Sequence, residues 1–97
     1  MTDADRMTFD EAWQVHQAAD WPGDLGGDEG QLMTLDTVLG GCLMYFVEEQ
    51  ELDAQRVEIL RECLAELDEV ARDLSETATT YFRRLQFLGT TLLRGYS

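Results

Sequence analysis

Apolar residues are spread along the chain in three blocks, each with its own spacing and flanks. The clearest block runs from Val57 to Leu92. There Val57, Leu60, Leu64, Leu67, Ala71, Leu74, Ala78, Tyr81, Leu85, Leu88 and Leu92 follow at alternating steps of three and four without a slip. That alternation is the signature of a helix with one continuous apolar seam. Asp53 precedes it with the side chain of a helix cap, and Leu52 and Val57 sit where a hydrophobic staple would hold the entry. The pattern predicts a long helix, continuous or kinked, over 53–94. The stretch Ser75-Glu-Thr-Ala-Thr-Thr80 is its weak point, because Ser75 can start a new helix and threonine is a poor helix former.

A second block, "VLGGCLMYFV" from Val38 to Val47, is apolar on every side. Nothing else in the chain offers it a strand partner, so it predicts a buried helix over 34–50, capped at Thr34 and stapled by Met33 and Val38. Gly40 and Gly41 weaken such a helix by about 1 kcal/mol each relative to alanine. A neighbouring helix in close approach is the expected compensation, and a local kink is the alternative. A third, shorter block places Phe9, Ala12, Trp13 and His16 on one face behind Thr8 and Glu11, which have capping-box spacing. It predicts a helix over 8–20, stopped by Pro22 and Gly23. Residues 1–7 are expected to be a disordered start, and 21–33 a glycine- and acid-rich loop.

These elements make one small all-α domain, a helical hairpin with a long heptad-patterned C-terminal helix. Forty helical residues span about 60 Å, while the facing helix covers less than half of that. The seam from Ala71 onward would therefore lie open, and a homodimer is expected to complete a coiled-coil-like bundle. The expected protein interface is Ala71, Leu74, Ala78, Tyr81, Phe82, Leu85, Leu88 and Leu92. A reversal near Ser75 would instead give a monomeric four-helix bundle.

The charge is uneven. The 97 residues carry −13 overall, with thirteen acids and one arginine over 1–53, seven acids and three arginines over 54–76, and three arginines with no acid thereafter. Glu58, Glu62, Glu66, Glu69 and Asp73 mostly avoid the seam and predict an acidic surface on the third helix. Charge of that density attracts a basic partner and repels nucleic acid. No apolar run approaches the twenty or so residues of a membrane span. Two cysteines, Cys42 and Cys63, and no leader-like start point to a reducing cytoplasm. A hairpin turning near residues 51–53 would set the two thiols level, as small buried groups.

Little here suggests chemistry. "WPGDLGGDEG" at 21–30 lacks the lysine of a phosphate loop, and its acids recur every fourth residue instead of in a calcium-loop pattern. Trp21 with Gly23, and Tyr45 with Glu49, resemble two short signals of the small helical hairpins of type VII secretion. In that family, however, the turn joins two long helices near mid-chain, so no fold expectation follows. His16, the single histidine, is expected at a boundary beside Asp20. No nucleophile-base pair or ligand set is evident, so no cofactor or metal is expected. The sequence reads as a non-enzymatic protein-binding module: an adaptor, small chaperone or inhibitor acting through its apolar end and acidic surface. Imitation of DNA toward a nucleic-acid-binding protein is the alternative, and a metal-carboxylate or redox protein stands further off.

Overall fold

The computed structural model describes residues 8–23 and 25–96, and every regular element among them is helical. The expectation for 1–7 lies outside the described residues. Helix α1 spans Phe9–Ala18, α2 Glu29–Glu49, α3 Ala54–Val70 and α4 Glu76–Arg94, with single 3-10 turns at Gly26–Asp28 and Ala71–Asp73.

Each start has a local cause. Thr8 Oγ1 accepts the Glu11 amide at 3.1 Å while Glu11 Oε1 accepts the Thr8 amide at 3.0 Å, a complete capping box. Asp53 Oδ1 accepts the Arg56 amide at 2.8 Å and starts α3. α2 ends at Gln50, whose left-handed backbone (φ 62°) lets its amide reach the Phe46 carbonyl at 2.7 Å.

α2 begins five residues earlier than the sequence pattern predicts. Leu32 and Leu35 are buried, and with Leu39, Cys42 and Leu43 they form one core-facing line, so burial extends the helix through the expected loop. The expected Thr34 cap is not used. Thr34 sits inside the helix with its hydroxyl donating to the Gly30 carbonyl, and Met33 is 49% exposed.

Neither a continuous nor a kinked 53–94 helix forms. The chain leaves α3 through the 3-10 turn, passes Leu74 in an extended conformation, and restarts at Ser75, whose Oγ accepts the Ala78 amide at 3.2 Å. Thr79 and Thr80 turn their hydroxyls back to the carbonyls of Leu74 and Glu76. A capping serine followed by threonines reverses the chain without glycine or proline, and the seam folds back on itself.

The four helices then alternate in direction. Gln31 meets Glu66 and Tyr45 meets Arg56 across α2 and α3, while Gly89 packs on Leu64 and Leu60 across α3 and α4. α1 runs back along α4, with Phe9 against Phe46 at one end and His16 against Tyr81 at the other. Phe82, Leu32, Leu39, Leu43, Leu60, Leu67, Leu85 and Leu88 are fully buried between them. Near the C-terminus, Tyr96 accepts the Leu52 amide on its hydroxyl at 2.7 Å, tying the end of α4 to the α2–α3 turn.

The close approach expected at Gly40 and Gly41 occurs elsewhere. A Cβ on Gly89 would stand 2.9 Å from Leu64 Cδ2, whereas a Cβ on Gly40 or Gly41 would meet nothing within 4 Å among the described residues.

Candidate functional site

The residues expected to form an interface between subunits are the interior of this bundle. Ala78, Phe82, Leu85 and Leu88 are fully buried, Tyr81 and Leu92 nearly so, and Ala71 and Leu74 are half-buried at the α3–α4 corner. The open seam on which the dimer expectation rested is covered by α1, α2 and α3 of the same chain. What this packing leaves exposed of the apolar C-terminal end is Phe87 on α4 and Tyr96 beyond it, among the described residues.

The acidic face of α3 is exterior. Glu58, Glu62, Glu66 and Glu69 are all exposed, as is Asp68, and they follow at helical spacing along the outside of the bundle. Asp73 lies in the 3-10 turn, and its side chain is outside the described residues. Among the described residues the arginine–carboxylate pairs are Arg56 with Asp53 and Arg61 with Glu58, both within one turn of helix and both open to solvent. Such exposed pairs hold little energy. Glu66 accepts a hydrogen bond from Gln31 Nε2 at 2.7 Å, an uncharged donor.

Beside these acids lies a shallow trough between α2 and α3, of about 370 Å³, lined by Val38, Gly41, Cys42, Tyr45, Gln55, Arg56 and Ile59. The Arg56 guanidinium caps the Tyr45 ring at 3.8 Å and closes one end. Cys42 is buried and Cys63 half-buried, both as free thiols. Burial pushes both thiols up, and the neighbouring Cys42, Glu66 and Glu62 push Cys63 further, so neither favours the reactive thiolate.

A polar cluster sits where α1, α2 and α4 meet. Tyr81 donates its hydroxyl to Asp36 Oδ1 at 2.8 Å, and His16 Nε2 stands 3.9 Å from the same oxygen. The His16 ring packs on Tyr81 at 4.8 Å and on Trp13 at 6.5 Å, while Trp21 meets Tyr81 and Phe82 edge-on. His16 therefore faces Asp36, not Asp20. The loop that carries Trp21 is anchored, since Pro22 and Leu25 are buried as well. His16 Nδ1 and Arg84 Nε are buried without a protein partner. Burial pulls His16 below its usual value against the raising effect of Asp36, with Arg84 adding to the fall. Burial and the bond to Asp36 hold the Tyr81 phenol well above its ordinary value. A neutral imidazole and a firmly protonated phenol around one carboxylate make a structural clasp with a titratable ring.

Sequence reading missed Asp36, although a signal was present: it is the single charge in the seventeen positions from Gly30 to Phe46. A lone carboxylate on an apolar helix needs a partner, and Tyr81 is it. Among the described residues, no group of three or more histidine, cysteine or carboxylate side chains is placed to hold a metal ion. Compared with protein-family models, curated proteins and solved structures, the chain matches none of them.

Proposed function

We propose that the protein is a non-enzymatic protein-binding module whose acidic exterior engages a basic partner protein. One observation carries this reading. Five carboxylates stand along the outside of α3, from Glu58 to Glu69, and among the described residues only Glu58 has an arginine of its own. Unneutralised charge of one sign on a rigid helix costs self-repulsion in the free protein and is relieved when an oppositely charged surface covers it. With the seam of α4 turned inward, the acidic face is the more exposed of the two surfaces that the sequence suggested. A partner that itself binds nucleic acid would make this an inhibitor by imitation, in the same mode of contact.

Affinity capture from the native host tests the proposal. The wild-type chain is compared with a variant carrying Glu62→Gln, Glu66→Gln, Asp68→Asn and Glu69→Gln, at about 50 mM and about 500 mM salt, bracketing the range in which screening length shrinks strongly. A basic protein retained by the wild type at low salt, and lost both at high salt and by the variant, is the expected result. Capture indifferent to salt and to the four substitutions would remove the acidic face from the mechanism.

A further inference from the structure

Gly40 and Gly41 lie in the middle of a 21-residue helix, where each costs about 1 kcal/mol against alanine, and a Cβ added at either would meet nothing within 4 Å among the described residues. No described part of the chain packs closely enough on them to account for that cost. They also lie on a helix that is apolar beyond the needs of the core. The segment Gly26–Glu49 is long and apolar enough by composition to cross a membrane, yet only 28% of its most apolar 18-residue window is buried inside the fold. Met33 and Met44 are 49% and 45% exposed. Thr34, Val38, Gly41 and Tyr45, at steps of four, three and four, form the shoulder of α2 that faces α3. Met33, Thr37, Gly40 and Met44 form the opposite shoulder. From Gly30 to Val47 the outer side of α2 carries no charge, because Asp36 is turned to Tyr81.

We infer that this uncharged face and the α2–α3 trough receive an amphipathic helix with a basic flank, supplied by the partner. The inference rests on the acidic-module reading and says where and how that partner docks. The missing side chain at Gly41 lets a helix backbone come close in the trough, as small residues do wherever helices cross tightly. Val38, Gly41 and Ile59 form the apolar floor, the Tyr45 ring capped by Arg56 closes one end, and the methionines supply an adaptable rim. Glu62 and Glu66, one helical turn apart on the α3 side, meet lysines or arginines at the matching spacing. Charge selects this occupant over the others. A second copy would bring its own acids to the same rim. An anionic membrane would meet Asp28 and Glu29 at one end of α2, Glu48 and Glu49 at the other, and α3 alongside.

The probe is a synthetic peptide of about 18 residues, about 27 Å as a helix, with leucine and alanine on one face and lysine along one flank. A scrambled peptide of equal composition keeps the charge and loses the face. Binding is followed by amide chemical shifts on the full chain and by titration calorimetry. The key variant is Gly41→Leu, which puts a side chain at the trough and improves helix propensity, its Cβ meeting nothing within 4 Å among the described residues. An unchanged or higher melting temperature shows that lost binding is not lost folding. Support is a preference of about tenfold for the amphipathic peptide, shifts concentrated at Val38, Gly41, Tyr45 and Ile59, and loss of that preference in Gly41→Leu. Equal binding of both peptides, or an undiminished preference in Gly41→Leu, overturns the docking site and leaves the acidic-module reading standing. Failure of both peptides to bind at low salt overturns that reading and the docking site with it. Dimers of the wild type that Gly41→Leu dissolves, or co-sedimentation with vesicles of phosphatidylserine and phosphatidylcholine, would assign the face to another occupant and overturn the inference.

Discussion

The Tyr81 hydroxyl donates to Asp36 Oδ1 at 2.8 Å and so joins α4 to α2 across 45 residues of sequence. The carboxylate is three-quarters buried and has His16 as its other close polar neighbour. Tyr81→Phe keeps the ring contacts with Trp21, Phe82 and His16 and deletes the donor. A hydrogen bond to a charged, partly solvated group is worth about 1–2 kcal/mol net, and that loss is expected in urea unfolding. No loss would mean that water replaces the phenol without cost.

Acid should weaken the same cluster through His16. The ring is held below its usual 6.5 in the folded chain, chiefly by burial, with Arg84 from α4 adding to the fall and Asp36 from α2 opposing it. The unfolded chain therefore takes up the proton first as pH falls. The stability tied to the neutral ring is intact above 6.5 and is lost as the pH drops below that value toward the lowered folded one. His16→Phe removes the titration and the unpaired Nδ1. The stability of the wild type relative to this variant should fall between about pH 8 and about pH 5.5, a window above most carboxylate titration. A difference that does not change with pH would show that His16 keeps its ordinary affinity for protons.

The glycines separate by what surrounds them. Gly40→Ala and Gly41→Ala enter open space and should each raise stability by about 1 kcal/mol. Gly89→Val drives a branched side chain into Leu64 and Leu60 and should cost about 1–3 kcal/mol, as overpacked sites do. Thermal denaturation of the three variants checks the order.

Ser75 distinguishes a restarted helix from a continuous one. As an N-cap its loss in Ser75→Ala should cost about 1 kcal/mol. In an unbroken helix the same change would be stabilising, because alanine is the better interior residue. The sign of the change in melting temperature is the result to read.

Local signals in the sequence were read well where one residue decides an outcome, and poorly where packing does. Thr8 with Glu11, and Asp53 with the Arg56 amide, act within a single turn and are legible from spacing alone. The seam from Val57 to Leu92 names the core almost residue by residue, but periodicity is silent about direction. A seam that reverses at Ser75 keeps the same steps of three and four as one that runs straight. The early start of α2 depends on Leu32 finding a place among side chains from other helices, which no window of sequence contains. The acidic face was visible as a charge pattern. The trough beside it was not, since Gly41 and Ile59 come together only when α2 and α3 pair.

The bond from the Leu52 amide to Tyr96 offers a built-in reporter. That amide heads the α2–α3 turn, and its acceptor arrives from the far end of α4. Its exchange with deuterium is gated by how often the last turn of α4 lifts away, a local opening distinct from global unfolding. One resonance, followed over hours, therefore times the undocking of the chain's final turn while the rest of the bundle stays shut.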